Sequence, residues 1–227
     1  MIPGSPPKVP FRVAHRGMPR RARENTLAGF ALALDSGADG IELDVHATAD
    51  GDVVVHHDPT LASGQEIAML TLAEVRHLDP HEGSERIPTL REVCALVSGR
   101  AELFVEIKGY GIEDLVTAAL DGYGGATAIH SFDRDLMLRL STKGVAYRLG
   151  LLSDAPETDI AATMARHRAL DLWPHHPIVT RALVEAVHAM GGRVIPWTVN
   201  HVAEARRLAA FGVDGLCSDD VTTLPMA

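Results

Sequence analysis

Glu42 and Asp44 occupy alternate positions in a stretch where apolar and polar residues alternate. This period of two is typical of a β-strand, so both carboxylates are predicted to leave the backbone on the same side. Two carboxylates on one face repel each other unless a hard divalent cation binds between them. An isolated Glu-x-Asp is more often a solvated edge strand. The pair therefore indicates a cation site only if other reactive groups accompany it.

Such groups are present at the ends of other predicted strands. One strand ends at His15 and Arg16, a β-branched run ends at His57, and a later strand carries Glu106 and Lys108 on one face. Two imidazoles titrate near neutral pH, so one can accept a proton while the other donates one. Two cationic side chains beside a divalent cation would also attract a phosphate.

The three carboxylates of Glu42, Asp44 and Glu106 are predicted to bind Mg²⁺ or Ca²⁺, because both ions prefer oxygen ligands. The sequence has no Cys or His set with the spacing of a zinc site. Two imidazoles, a divalent cation and a phosphate-binding pair of cations together predict phosphodiester cleavage.

The elements that must position these residues alternate between strand and helix. Strands are predicted at residues 11–14, 40–46, 102–108, 127–131, 147–152, 170–174, 193–199 and 215–219. Helices are predicted to begin near residues 26 and 87 and to span 71–78, 112–120, 134–140, 160–167, 181–190 and 202–211. This alternation predicts an α/β fold, a (β/α)₈ TIM barrel. In such a barrel the carboxyl ends of all strands meet at one mouth, where the reactive residues would lie together.

One domain is predicted for residues 1–227, with an irregular insertion at the rim of the barrel, residues 59–86, after the second strand. Two features fit the barrel poorly. Pro196 falls inside a predicted strand, and residues 221–227 are too few for an eighth helix.

Composition restricts the class of protein. The net charge of −9 and the lack of a Lys/Arg run argue against nucleic-acid binding. The two cysteines, Cys94 and Cys217, form neither a disulfide framework nor a metal motif, which fits a reducing compartment. The start of the chain has no apolar signal region, and no stretch approaches the roughly 20 apolar residues of a membrane span. A cytoplasmic protein, monomeric or homodimeric and acting on a small molecule, is the expectation.

Eight short motifs run through the chain in a fixed order. They are His15-Arg16-Gly17, Glu24-Asn25-Thr26, Glu42-x-Asp44, His57-Asp58, Ile87-Pro88-Thr89-Leu90, Glu106-x-Lys108, His130-Ser131-Phe132 and Trp197-Thr198-Val199-Asn200. As a set, and over nearly the whole length, they resemble the glycerophosphodiester phosphodiesterases. The resemblance implies a metal-dependent TIM barrel that hydrolyses glycerophosphodiesters to sn-glycerol 3-phosphate and an alcohol.

The resemblance also implies roles for individual residues. It matches His15 and His57 to the acid/base pair, Glu42, Asp44 and Glu106 to the metal ligands, and Arg16 and Lys108 to the phosphate-binding cations. It further implies that the glycerol 2-hydroxyl attacks the phosphorus, giving a cyclic phosphate that water then opens. Glu24 is either a metal ligand or a brace for the site.

Other candidates lie at the predicted mouth. His130 ends the fourth strand and is a candidate substrate contact, and Trp197 is interpreted as a wall on the glycerol side of the pocket. A functional role for His175 and His176 is the minority interpretation, because a loop histidine pair is more often solvated. Structural roles are expected for His46 and His56, and surface positions for His77, His81, His167, His188 and His201.

Three rival functions remain open. A barrel could bind a phosphodiester or polyol phosphate without catalysis, although a binding module needs no pair of acid/base histidines. A phosphodiesterase of the lysophospholipase D type would use the same groups. An aldolase or epimerase acting on a sugar phosphate would need a base for C–H abstraction, for which Lys108 is the candidate.

Overall fold

The computed structural model describes residues 9–224, and within them eight parallel strands form a barrel with helices on its outside. The predicted leading segment, residues 1–8, and the last residues, 225–227, lie outside the described range. The strands are β1 (Phe11–Ala14), β2 (Gly40–Ala47), β3 (Val53–Val55), β4 (Glu102–Ile107), β5 (Thr127–Ser131), β6 (Arg148–Ser153), β7 (Asp171–Pro174), β8 (Arg193–Val194) and β9 (Gly215–Ser218).

The sheet order is β8-β7-β6-β5-β4-β2-β1-β9, while β3 pairs antiparallel with β2. Backbone hydrogen bonds close the gap between the two ends of this order. Asp214 N donates to Val194 O at 2.9 Å, and Cys217 N donates to Pro196 O at 3.0 Å. The predicted (β/α)₈ barrel is therefore confirmed.

The helices follow the strands with boundaries close to those predicted. They are α1 (Leu27–Asp35), α2 (Leu72–Leu78), α3 (Leu90–Val97), α4 (Glu113–Leu120), α5 (Arg134–Lys143), α6 (Ile160–Arg166), α7 (Arg181–Ala189) and α8 (Val202–Phe211). Capping side chains mark where two of these helices begin. Thr26 caps the N-terminus of α1, Thr89 caps that of α3, and Glu92 completes a capping box with Thr89. None of the helices between residues 9 and 224 is long and apolar enough to cross a bilayer.

Apolar residues fill two layers. The larger layer packs the outward faces of the strands against the helices, as Ile41, Leu43 and Val45 of β2 do. The smaller layer, with Phe104 and Trp173, fills the inside of the barrel. Alternating side chains along each strand produce both layers, because successive residues point to opposite faces.

The amino end of the barrel is closed by charged side chains. The Arg193 guanidinium makes paired hydrogen bonds of 2.7–2.9 Å to the carboxylates of Glu102 and Asp171. It also lies 5.5 Å from the ring centres of Phe11 and Phe104. These contacts plug the amino end, so the open end of the barrel is the carboxyl end.

The predicted strand at 193–199 is wrong in length, since β8 ends at Val194. Pro196 lacks an N–H and cannot extend the ladder, but its carbonyl still accepts the hydrogen bond that closes the barrel. After β9 the chain forms the short 3₁₀ turn Val221–Thr223, which agrees with a last segment too short for a helix.

Residues 59–86 form 3₁₀ turns at Ile67–Met69 and Gly83–Glu85 around α2, and they pack on a small apolar cluster that includes Val54, Ile67 and Ile87.

The prediction of a surface position for His167 is wrong. Its side chain is buried at the end of α6, and its Nδ1 lies 2.7 Å from Thr163 O. Helix packing, which the local pattern did not reveal, covers this ring.

Candidate active site

A cavity of about 250 Å³ opens at the carboxyl ends of the strands. Its lining includes most of the predicted site residues: His15, Arg16, Glu42, His57, Glu106, Lys108, His130 and Trp197. Asp44, the remaining predicted residue, is 1% exposed and lies directly against Arg16 and Lys108. The barrel therefore brings together residues that are far apart in the sequence.

Strand register explains much of this convergence. Asp44 on β2 pairs with Glu106 on β4, and Glu106 pairs with His130 on β5. Their side chains point to the same face of the sheet, the inside of the barrel, because paired residues of neighbouring strands share a face. Glu42 lies two positions before Asp44 and projects from the same face.

The two candidate acid/base histidines each contact an aspartate. His15 Nδ1 lies 2.7 Å from Asp219 Oδ1, and His57 Nδ1 lies 2.8 Å from Asp58 Oδ1. Asn200 holds Asp219 in turn, donating from Nδ2 to Asp219 Oδ2 at 2.6 Å. In each pair the carboxylate contacts Nδ1, so Nε2 is the ring nitrogen not used in these contacts.

Charge and burial act in opposite directions on His15. Burial lowers the pKa of His15, but the hydrogen bond to Asp219 and the charge of Glu42 raise it, and the net pKa is raised. Asp219 shows the complementary effect: burial raises the pKa of its carboxyl, while His15 and Asn200 lower it to a net value below the usual range. Both shifts favour the ion pair.

Asp44 lies at the centre of a buried network. Its Oδ2 accepts a hydrogen bond from Asn25 Nδ2 at 2.9 Å and lies 3.1 Å from Arg16 Nε, while its Oδ1 lies 3.4 Å from Lys108 Nζ. Burial raises the pKa of Asp44, but Arg16, Lys108 and the hydrogen bond from Asn25 lower it, and the net pKa lies below the usual range. Asp44 is therefore held ionised.

The pKa of Glu106 shifts in the opposite direction from that of Asp44. Burial raises the pKa of Glu106 to about 7, with Lys108 lowering it and the like charge of Asp44 raising it. Lys108 Nζ contacts Glu106 Oε1 at 2.7 Å; burial lowers the pKa of Lys108, but Glu106, Asp44 and Glu42 raise it, and the net pKa is raised. Three acids gathered in a buried space need cationic partners to remain ionised.

Backbone geometry positions Arg16. The residue has a left-handed φ of 51°, and its N–H donates to Glu42 Oε2 at 3.1 Å. Gly17 follows with a φ of 88°, and a Cβ there would lie 2.9 Å from the carbonyl carbon of Gly29. The glycine of the first motif is thus required by its close approach to α1. Glu24 accepts hydrogen bonds of 3.3 Å from Arg16 Nη1 and so contacts the guanidinium.

Aromatic rings line the side of the cavity near β5, β7 and β8. His130 stacks on Trp173 with ring centres 4.4 Å apart and an angle of 13°. Trp197 donates from Nε1 to Trp173 O at 2.9 Å, and its ring stands perpendicular to that of Phe132. His175 packs against Trp197 with ring centres 5.1 Å apart. The predicted wall residue Trp197 thus lies on the cavity, half-buried rather than in the core.

The donor set fits a divalent cation. Glu42, Glu106 and His130 each offer a ligand atom within 4.8 Å of the others. Asp44 Oδ1 is also buried and has no hydrogen-bond partner among residues 9–224, although Lys108 lies near it. Buried carboxylate oxygens that converge with lone pairs to spare are the ligands that Mg²⁺ and Ca²⁺ prefer. The grouping contains His130 in addition to two of the three predicted ligands, and Asp44 stays a predicted ligand.

Some contacts in the cavity were not predicted from the sequence. Asp219 is the last residue of the strand predicted at 215–219, but its pairing with His15 joins residues that are 204 positions apart. Trp173 carried no local signal, because one aromatic residue in an apolar strand is ordinary. His176, for which a functional role is the minority interpretation, does not line the cavity, and its Nδ1 lies 2.8 Å from Glu204 Oε1.

Comparisons with known proteins agree with this geometry. The model of the Glycerophosphoryl diester phosphodiesterase family matches residues 15–223. A glycerophosphodiester phosphodiesterase from Caldanaerobacter subterraneus is 34% identical to this chain, over 93% of this chain and 95% of that protein.

Solved structures give the same result. A glycerophosphodiester phosphodiesterase from Thermotoga maritima superposes with a TM-score of 0.81 and 28% identity, covering 94% of this chain and 96% of its own. An Oleispira antarctica phosphodiesterase in complex with the product sn-glycerol-3-phosphate has a TM-score of 0.85 and 26% identity, covering 93% of each chain.

Proposed function

This chain belongs to the glycerophosphoryl diester phosphodiesterase family and hydrolyses glycerophosphodiesters to sn-glycerol 3-phosphate and an alcohol, and we propose how its residues divide that reaction. One observation carries the proposal. Two histidines, two acids and two cationic side chains line a single cavity at the mouth of the barrel: His15, His57, Glu42, Glu106, Arg16 and Lys108.

The two histidines are the acid and the base. The raised pKa of His15 favours its protonated form, so His15 donates a proton to the oxygen of the leaving alcohol. His57 accepts the proton of the glycerol 2-hydroxyl as that oxygen attacks the phosphorus. The phosphorus–alcohol bond breaks and a cyclic phosphate forms. His57 then returns a proton to the 2-oxygen as His15 accepts one from the water that opens the ring.

Arg16 and Lys108 bind the phosphate. Both line the cavity, and each is held by buried carboxylates, so their charges are in place before substrate arrives. Fixed positive charge beside a phosphate stabilises the charge that develops on its oxygens. Glu24 contacts Arg16 and orients it rather than binding a cation. His130 contacts the substrate, and Trp197 forms the wall on the glycerol side of the cavity.

Glu42, Asp44 and Glu106 would hold a divalent cation, for which we propose Mg²⁺ or Ca²⁺, because their oxygen atoms are hard ligands. When bound, such a cation would supply positive charge that offsets the charge of the phosphate.

The composition of the chain supports a proposal for where the enzyme acts. We propose that it acts in the cytoplasm, since Cys94 and Cys217 are both free thiols, and that it is a monomer or a homodimer. Its net charge of −9 disfavours nucleic acid as a partner.

The test is release of sn-glycerol 3-phosphate from glycerophosphocholine and glycerophosphoethanolamine, measured after EDTA treatment and again with Mg²⁺ or Ca²⁺ restored. We expect EDTA to abolish release and one of the two ions to restore it. If the folded protein releases no glycerol 3-phosphate with either ion, the proposed substrates or ions are wrong. Unchanged release in EDTA would contradict the role given to the carboxylates.

A further inference from the structure

A histidine lies among the carboxylates of the cavity. The His130 side chain is 1% exposed, its Nε2 lies 3.7 Å from Glu42 Oε1, and its strand pairs it with Glu106. The ligand atoms of these three residues all lie within 4.8 Å of one another. Ligands on opposite sides of one ion are about 4–5 Å apart, because each bond is about 2.0–2.5 Å long. All three side chains can therefore share one ion.

Packing holds the imidazole of His130 in place. Its ring stacks on Trp173, and Gly150 of β6 leaves the room for this contact. A Cβ at Gly150 would lie 3.1 Å from both His130 Cβ and Trp173 Cδ1. A ring that is already fixed loses little conformational freedom when it binds a ligand.

The hydrogen bonding of His130 is incomplete for a buried histidine. Its Nδ1 is buried and has no hydrogen-bond partner in the described part of the chain, and the 3.7 Å from Nε2 to Glu42 is too long for a good hydrogen bond. Buried polar groups are normally paired, so an imidazole in this position calls for a role that its protein contacts do not supply.

We propose that His130 is a nitrogen ligand of the cation that binds at Glu42 and Glu106. The nitrogen raises the affinity of the site for first-row transition ions such as Co²⁺ and Mn²⁺ relative to Mg²⁺ and Ca²⁺. Imidazole suits transition ions, whereas the alkaline-earth ions favour oxygen. This inference rests on the proposed function, because it concerns the cation site of the same cavity.

The experiment compares the metal-free protein, His130→Gln and a matched control, His175→Gln. His175 packs on Trp197 at the same mouth and is not a member of the carboxylate group. Calorimetric titration gives the affinities for Co²⁺, Mg²⁺ and Ca²⁺, and electron spin echo envelope modulation of bound Mn²⁺ detects a coordinated ¹⁴N.

We expect nitrogen modulation in the parent protein and in His175→Gln, and none in His130→Gln. Affinity for Co²⁺ should fall at least roughly tenfold in His130→Gln, the scale on which even indirect metal contacts act. Affinities for Mg²⁺ and Ca²⁺ should change much less. The control should bind all three ions as the parent does.

Two results would overturn the inference: a parent protein without nitrogen modulation, or His130→Gln that retains it together with the parent's ratio of Co²⁺ to Ca²⁺ affinity. Even if His130→Gln does not fold, the absence of nitrogen modulation from the parent protein would still refute the inference. Glycerol 3-phosphate release, measured in parallel, tests the proposed function separately. Release without nitrogen modulation refutes only the ligand, and modulation without release refutes only the reaction.

Discussion

Replacing Asp219 by asparagine tests the division of labour between the two histidines. Asp219 Oδ1 lies 2.7 Å from His15 Nδ1, and the two side chains are 24% and 19% exposed. Asparagine keeps the size of the side chain and removes its charge. The change should therefore affect the protonation of His15 more than the shape of the cavity.

The expected shift follows from the balance of forces on His15. Burial and Arg16 lower its pKa, while Asp219 and Glu42 raise it to a net value above its ordinary one. An adjacent opposite charge typically shifts a pKa by about 1–3 units. Since water reaches part of both side chains, we expect a fall at the low end of this range.

The sign of the effect on activity is determined by the role of His15. A general acid must be protonated, so activity falls as pH rises through its pKa. Lowering that pKa in Asp219→Asn should move the alkaline limb of the kcat/KM profile about one pH unit lower. At a pH above the limb, the rate should fall roughly tenfold, and near the acid limb it should change little.

The assay is the pH dependence of glycerol 3-phosphate release at saturating cation. Asp58→Asn is the matched control, because it removes the carboxylate beside the other histidine, His57. It should leave the alkaline limb in place. A diester with a chromogenic, weakly basic leaving group needs little protonation, so Asp219→Asn should slow it much less. An unmoved alkaline limb, or equal losses on both substrates, would refute His15 as the general acid.

Three further outcomes are expected. His57→Ala should lower kcat by roughly 10²–10⁴-fold with the circular dichroism spectrum unchanged, and a loss below tenfold would remove His57 from the mechanism. Glu42→Gln should raise the Mg²⁺ or Ca²⁺ concentration for half-maximal activity at least roughly tenfold, and an unchanged metal titration would show that Glu42 is not a ligand. Arg193→Met leaves the Glu102 carboxylate without this partner at the amino end of the barrel. It should lower the free energy of unfolding in urea by about 3 kcal/mol while kcat is retained. Unchanged stability would show that the contacts of Arg193 do not stabilise the barrel.

Much of this protein was predictable from local pattern. A period of two identified the strands and the face carrying Glu42 and Asp44, and the alternation of strand and helix patterns predicted the helices, including α1 and α3. The rule that parallel strands present their carboxyl ends to one mouth then predicted that His15 and Glu106 would meet. These features depend on near neighbours in the chain, so the sequence contains them directly.

Other features depend on which distant strands become neighbours. The pairing of His15 with Asp219 requires β1 to lie beside β9, which occurs only when the barrel closes. His130 meets Trp173 because the strand between them carries Gly150, whose missing side chain leaves room for both rings. No residue in either set predicts its partner from local sequence.

The sequence by itself therefore determined the elements, the barrel and the set of reactive side chains, because strand and helix periods and strand-end positions are local properties. Only the tertiary structure decided which carboxylate holds which imidazole, how Arg193 plugs the barrel, and that His130 lies within reach of Glu42 and Glu106. These contacts depend on barrel closure, strand register and the space left by small residues, which belong to the assembled fold rather than to any one segment.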